Sequence, residues 1–496
     1  MTAPTPALPA KIDPLVRAFL DTPGAVADTL DRFGSPVHLV FPQVYAENLA
    51  QFRTVLDRLL ARYRICYAHK ANQSLAFVRT AARAGIAIDA ASPQEVTSAV
   101  AAGFGPERTE VTGPKGEVFL RDLIDRGLTI NVDNLWELAR IPELASDRTG
   151  VPVLLRVSGF EDGQVSRFGV PLGHIERAFE LLSAHRDRMT FLGFAFHLDS
   201  GDTNERIRAI DACLALVERA YGYGLTPSVL NIGGGYRQVF TADADRFDEY
   251  VHALRESLLG RGEPMSWGSN TFGYHVAGGA VHGIPVFHKY ANTIPATRML
   301  EDLFTAPLER HGGRTVAEVA ADNLLDVWLE PGKALVDHAG MTVAMVEFVK
   351  EIADGSVLVN VDLSRDSVTP ADQEVMVDPI ILPRDGGPTI ETQPVGVYFA
   401  GRLCLERDLI TNHKVWLAAR PRPGDLVVFP NTAAYHMDLS AATASMRPPL
   451  IKLAVAHRGG DFQVCHDSDY DPDLPIAPHH KTFRHSPVSR IPTEAP

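Results

Sequence analysis

Four short stretches hold the residues whose types and spacing could do chemistry. Lys70 ends the run "RICYAHK", His197 lies in "FHLDSG", Gly233, Gly234 and Gly235 form the centre of "NIGGGYR", and Glu330 stands in "WLEPGK". Each has an ordinary explanation on its own. A strand-end lysine is a solvated charge, a single histidine a satisfied structural group, a glycine triplet a tight turn, and a glutamate before Pro331 and Gly332 a turn residue. Taken together they make a different list. It contains an amine that can attack an aldehyde, a flat ring for stacking, backbone N–H groups able to approach phosphate oxygens, and a carboxylate.

The elements that would bring these residues together are legible as eight short apolar runs between Arg64 and Glu330. They are "RICYA", "IAID" at Ile86, "TEVT" at Thr109, "LTINV" at Leu128, "VLLRV" at Val153, "TFLGFAFH" at Thr190, "SVLNI" at Ser228 and "LDVWL" at Leu325. Segments with helical periodicity separate most of them. In "SPQEVTSAVAAG", Ser92 suits the N-cap, Pro93 the first helical position, Glu95 the opening turn and Gly103 the C-terminal cap. Eight strands alternating with helices predict an α/β (β/α)8 TIM-type barrel, whose chemistry sits at the C-terminal strand ends. The residues at those ends are Lys70, Asp89, Asp133, Arg156, His197, the three glycines and Glu330.

Beyond Glu330 the runs become short and rich in Val, Phe and Tyr, with turn signals such as "RPRPGD" between them, which predicts an all-β C-terminal domain, a β-barrel or sandwich. The early "GSPVHLVF" is expected to join it as a strand. The predicted organisation is 1–44 joining the β domain, a barrel over 45–340 with an insertion at about 237–320, the β domain over 341–466, and a tail over 467–496 without a fold of its own.

The chain of 496 residues has 45% hydrophobic and 22% charged residues, an ordinary globular composition. A net charge of -14 argues against nucleic acid as a partner, and no long apolar run predicts a membrane span. The four cysteines have no zinc-type spacing and no paired framework, so no metal is expected and a reducing cytoplasm is the expected compartment.

An amine, a stacking ring, a phosphate cradle and a carboxylate are what pyridoxal phosphate needs. Lys70 would hold the aldehyde as a Schiff base, the glycines the phosphate, and Glu330 the protonated pyridine nitrogen, which makes the ring an electron sink. At this point the sequence resembles the fold-type III pyridoxal-phosphate decarboxylases that act on diaminopimelate, ornithine and arginine, from about Phe33 to about Arg458. "YAHKAN", "IDAASPQE", "SRFG", "FHLDSG", "NIGGGY" and "EPGK" match that family's barrel motifs in order; "GRLCLERD" and "NTAAYHM" match its cysteine and tyrosine motifs.

The resemblance implies an alanine racemase-like barrel and a homodimer with shared active sites. It makes Lys70 the Schiff-base lysine, His197 the stacking group, and Cys404 the donor of a proton to Cα after carbon dioxide leaves. It also implies that Ser200, Gly234 and Gly235 bind phosphate, with Tyr435 a further phosphate contact. Gly233, Asp89, Arg156, Gly332 and Lys333 complete the expected cofactor-binding set.

Several departures bear on substrate. Lys333 replaces an expected arginine and loses its bidentate fork. Asn231 precedes the glycines where aspartate is common. Leu405 follows Cys404 where the resembling enzymes carry an acid for the distal amino group; an apolar leucine cannot neutralise an ammonium, so ornithine, lysine and diaminopimelate are not the expected substrates. Glu406 is one residue away. The insertion after the seventh strand offers Tyr274, His275, His288 and Tyr290 as substrate contacts if it covers the barrel mouth; the alternative is a peripheral or dimerising insertion. Glu330 favours decarboxylation over an amino-acid racemase or epimerase, which typically faces the pyridine nitrogen with arginine. A catalytically silent, protein-binding relative is the remaining alternative.

Overall fold

The computed structural model describes residues 6–161, 165–287, 293–368, 376–384, 393–438, 446–474 and 482–484. The chain divides into two compact units, one of Met1–Val44, Phe240–Ala291 and His338–Pro496, the other of Tyr45–Val239 and Asn292–Asp337. Strand β1 (Val37–Val40) belongs to the first unit, and eight parallel strands close a barrel in the second.

These eight are β2 (Tyr63–Ala68), β3 (Ala87–Ala90), β4 (Thr109–Val111), β5 (Thr129–Val132), β6 (Val151–Ser158), β7 (Met189–Ala195), β8 (Val229–Asn231) and β9 (Asp326–Leu329). All neighbours are parallel, in the order β5-β4-β3-β2-β9-β8-β7-β6, and β5 also pairs with β6, which closes the barrel. The strands fall on the eight apolar runs. They are buried on both faces, which is why they read as continuous hydrophobic stretches and not as alternation. Cys66, Ala87, Leu154, Ala195, Val229 and Trp328 pack together as one buried cluster of this unit.

The helices between strands begin where capping chemistry allows. Ser92 Oγ accepts the Glu95 N–H at 3.2 Å while the Glu95 carboxylate accepts the Ala91 N–H at 2.7 Å, so helix Pro93–Ala101 starts as its sequence predicts. Helix Thr203–Tyr221 buries Ala209, Ile210, Cys213, Leu214 and Val217 along one stripe, and places Arg206 on the same stripe.

The other unit is a curled sheet. Its strands after β1 are β10 (Gly340–Glu351), β11 (Val357–Val361), β12 (Ile380–Leu382), β13 (Val395–Ala400), β14 (Val415–Leu417), β15 (Leu426–Pro430), β16 (Ile451–Arg458), β17 (Asp461–His466) and β18 (Thr482–Arg484). The strand from "GSPVHLVF" does join this sheet: β1 lies antiparallel to β10 and parallel to β16. Val346, Val359, Val361, Val397, Phe399, Val415 and Val427 form its core.

Two boundaries differ from the sequence reading. The insertion was expected within the barrel domain, but Phe240–Ala291 belongs to the sheet unit. Phe247, Tyr250, Leu254, Met265, Phe272 and Phe287 form an apolar cluster with Leu8 and Met376, and the Tyr250 hydroxyl donates to the Lys414 carbonyl at 2.7 Å. Burying those aromatics is what assigns the segment there. The tail was expected to lack structure, yet Thr482–Arg484 pairs antiparallel with β17; its residues 475–481 and 485–496 lie outside the described ones. Among the described residues no helix is long and apolar enough to cross a membrane.

Candidate active site

Strand β2 runs into a single 3-10 turn, His69–Ala71, which carries Lys70 half-buried just past the strand end. His69 beside it is buried, with Nε2 3.0 Å from Ser98 Oγ. Strand β3 brings Asp89, β4 brings Glu110, β8 ends on Asn231, and Glu330 follows β9. Three carboxyl groups therefore meet inside one barrel, all of them almost fully buried.

The Asn231 amide organises two of them. Its Oδ1 accepts the Gly233 N–H at 2.9 Å, so Nδ2 faces the acids and donates to Glu330 Oε1 at 2.8 Å and to Glu110 at 3.0 and 3.2 Å. Burial, and then the neighbouring carboxyl groups of Glu330 and Asp89, push the Glu110 carboxyl well above the usual range. Asp89 is pushed up to about 8, by burial first and then by Glu330, with Lys70 and Thr112 pulling the other way. Neither Asp89 carboxyl oxygen has a hydrogen-bond partner among the described residues.

The glycine loop follows β8. A Cβ on Gly234 would stand 2.5 Å from the Glu330 carbonyl, and one on Gly235, where φ is +80°, would stand 1.9 Å from the Leu198 carbonyl. Only glycine fits both places. The Gly233 N–H is used by Asn231, and the Gly234 N–H donates to His197 Nδ1 at 3.2 Å. Accepting that bond requires His197 Nδ1 to be unprotonated. Burial, and then the positive charges of Lys70, Arg156, Arg206 and Lys333, hold its pKa well below the usual histidine value. The ring is therefore neutral, with its proton on Nε2.

Of the other expected barrel residues, Gly332 packs against Ala68 and Ala71, where a Cβ would stand 2.8 Å from the Ala71 Cβ. Lys333 lies 3.0 Å from Asp199 Oδ1. Arg156 covers the Phe168 ring at 4.7 Å and stands 3.8 Å from Asp133, which itself accepts the Gly169 N–H. Ser200 is exposed, donates to Glu205 and accepts the Asp202 N–H. Glu110 and Arg206 are buried polar residues that motif reading passes over; the signal for Arg206 was its place on the apolar stripe of its helix.

In the sheet unit, Cys404, Leu405 and Glu406 are consecutive exposed residues of one loop. Buried Asp408 holds it: its carboxylate accepts the Leu403 N–H at 2.6 Å and the Arg365 N–H at 2.7 Å, and its carbonyl accepts the Gly401 N–H. Tyr435 has a φ of +67°, an uncommon conformation for a residue with a side chain. Tyr274 is packed in the insertion's apolar cluster, with only 6% of its surface exposed, and His275 stacks on His282. His288 and Tyr290 lie outside the described residues.

The barrel fits pyridoxal phosphate. It has an amine at a strand end, a neutral imidazole, a close-packed glycine loop, and in Asp89 a buried carboxyl whose oxygens have no hydrogen-bond partner among the described residues. Comparison with known proteins agrees. Residues 46–264 match the family described as Pyridoxal-dependent decarboxylase, pyridoxal binding domain. The chain is 32% identical over 417 residues to the uncharacterized protein y4yA of Sinorhizobium fredii (strain NBRC 101917 / NGR234), covering 83% of this chain and 86% of that one. It is 26% identical over 437 residues to the diaminopimelate decarboxylase of Bacillus subtilis (strain 168), covering 83% and 84%. The fold is shared with lysine/ornithine decarboxylase complexed with putrescine from Vibrio vulnificus, at a TM-score of 0.63 and 19% identity over 90% of this chain and 99% of that one. It is shared too with diaminopimelate decarboxylase from Helicobacter pylori complexed with L-lysine, at 0.64 and 16% over 88% and 95%. On its barrel, its sheet domain and these likenesses, the chain belongs to the fold-type III pyridoxal-phosphate-dependent decarboxylases, as a divergent member.

Proposed function

We propose that this decarboxylase acts on an amino acid without a distal ammonium group, using Lys70, His197 and Glu330 in the barrel and Cys404 from the sheet domain. Bound pyridoxal phosphate supplies the electron sink that takes up the electron pair left at Cα when the carboxylate departs. Lys70 provides the amine that holds the cofactor through its aldehyde carbon. His197, neutral and with Nδ1 fixed by Gly234, offers a flat uncharged ring against which the cofactor can lie. Cys404 Sγ would return a proton to Cα, and its exposure suits a site completed in a homodimer.

The observation that carries the reading is Glu330. Asn231 orients it through a 2.8 Å bond, and the Glu110 carboxyl beside it is pushed well above the usual carboxylate range by burial first and then by Glu330. That leaves Glu330 as the group suited to accept a proton-bearing ring nitrogen, the arrangement that strengthens an electron sink. Leu405 and the exposed run around it support a substrate whose side chain ends in something other than an ammonium.

The test is incubation of cofactor-loaded protein with pooled D- and L-amino acids in heavy water, followed by mass spectrometry. Loss of carbon dioxide with one deuterium gained at Cα is expected, and names the substrate. Deuterium at Cα with the carboxylate retained would overturn decarboxylation in favour of racemisation.

A further inference from the structure

Arg206 is the largest fully buried side chain among the described residues, and its guanidinium makes no ion pair there. Burial lowers its pKa; Tyr236, and then Glu205, Asp199 and Glu330, act the other way without pairing with it. Its partners are three carbonyls. Nη1 donates to Ile232 O at 2.6 Å, and Nη2 donates to Leu198 O at 2.9 Å and Gly234 O at 2.6 Å. The guanidinium also lies over the Tyr236 ring, 5.1 Å from its centroid. A buried cation held by carbonyl dipoles and one ring face, with no carboxylate paired to it, is costly unless an anion comes near.

The third bond decides where that anion would sit. In a planar trans peptide the C=O and the following N–H point in opposite directions. Arg206 takes the carbonyl of the Gly234–Gly235 peptide, so the Gly235 N–H points away from the guanidinium. Of the three glycine N–H groups, those of Gly233 and Gly234 have acceptors inside the barrel, while that of Gly235 has none among the described residues. The residue expected from the sequence to anchor phosphate, Lys333, is engaged with Asp199.

We propose that Arg206 is the positioning residue for the cofactor phosphate: it fixes the Gly234–Gly235 peptide so that the Gly235 N–H meets a phosphate oxygen, and it supplies the buried positive charge behind that peptide. The inference rests on the cofactor assignment. It moves the anchoring charge from the "EPGK" turn to the helix Thr203–Tyr221, beneath the loop and out of direct contact with the ligand.

The test compares two ligands that differ only in the phosphate. Full-length protein stripped of cofactor is titrated with pyridoxal phosphate and with pyridoxal, followed by cofactor absorbance. Arg206→Gln is expected to weaken pyridoxal phosphate binding by about tenfold or more while pyridoxal binding moves by less than about twofold. Arg206→Lys, which keeps the charge but not the fork, is expected to recover part of the difference. Equal weakening of both ligands would mean that Arg206 merely holds the fold together, and would overturn the proposal. If the Gln variant does not fold, the Lys variant decides, and an unchanged preference for the phosphorylated ligand in it overturns the proposal. A wild-type chain that binds neither ligand removes the cofactor assignment and this inference with it.

Discussion

The barrel mouth and the Cys404 loop solve opposite problems. In the barrel, Lys70, Asp89, Glu110, Asn231 and Glu330 are delivered by five parallel strands or the residues just after them, and the Asn231 amide bonds both Glu110 and Glu330. In the loop, Cys404, Leu405 and Glu406 face outward and a single buried carboxylate, that of Asp408, fixes the backbone beneath them. One region is defined by mutual burial, the other by exposure on a pinned support. The barrel can therefore set protonation states by itself. The loop can only present a thiol to something else.

If that contrast is right, barrel substitutions should alter the cofactor and loop substitutions should not. The largest effect is expected for Lys70→Ala, which should abolish the cofactor's protein-bound absorbance and lower turnover by about 10^3-fold or more. Retained absorbance with full activity would break the barrel assignment. Glu330→Gln should keep the cofactor bound but lower kcat by about 10^2- to 10^3-fold, as loss of a preorganised charge does. Cys404→Ser should lower turnover by about 10^2-fold, the scale of a general acid, with the bound cofactor's spectrum unchanged; a shifted spectrum would show that the two regions are not distinct in this way.

Smaller effects sharpen the comparison. Asp408→Ala leaves the Leu403 and Arg365 N–H groups without their acceptor and should cost about 1–3 kcal/mol in denaturant unfolding, with the cofactor spectrum untouched. Asp89 gives a pH signature. Its carboxyl is raised from 3.8 to about 8, so across that window the folded cofactor-free protein holds a proton that the unfolded chain has released. Its contribution to stability is then full below pH 4 and lost as pH rises towards 8. Asp89→Asn should flatten that slope in the melting temperature, and an unchanged slope would assign it to another group.

All eight barrel strands were legible because parallel strands buried on both faces leave unbroken apolar runs, and their ends carry the reactive residues. Lys70, His197, the glycines and Glu330 could be read that way. Glu110 could not: on its three-residue strand it looks like a solvated acid, and only closure of the barrel sets it against Asn231. Asp408 was hidden for the same reason, since its backbone partners lie 5 and 43 residues away. The insertion misled because its aromatics signal burial but not against what. They pack with Leu8 and Met376, far apart in sequence.

The Asn231 amide also constrains how this sequence can change. Its oxygen is committed to the Gly233 N–H, so its other side must donate. Aspartate there would set a third carboxyl group against Glu110 and Glu330 and remove the amide that now donates to both. Replacing Glu110 by a neutral amide would take one of those acids away. The two positions are therefore coupled, and Asn231→Asp is expected to cost less stability on a Glu110→Gln background than on the present one.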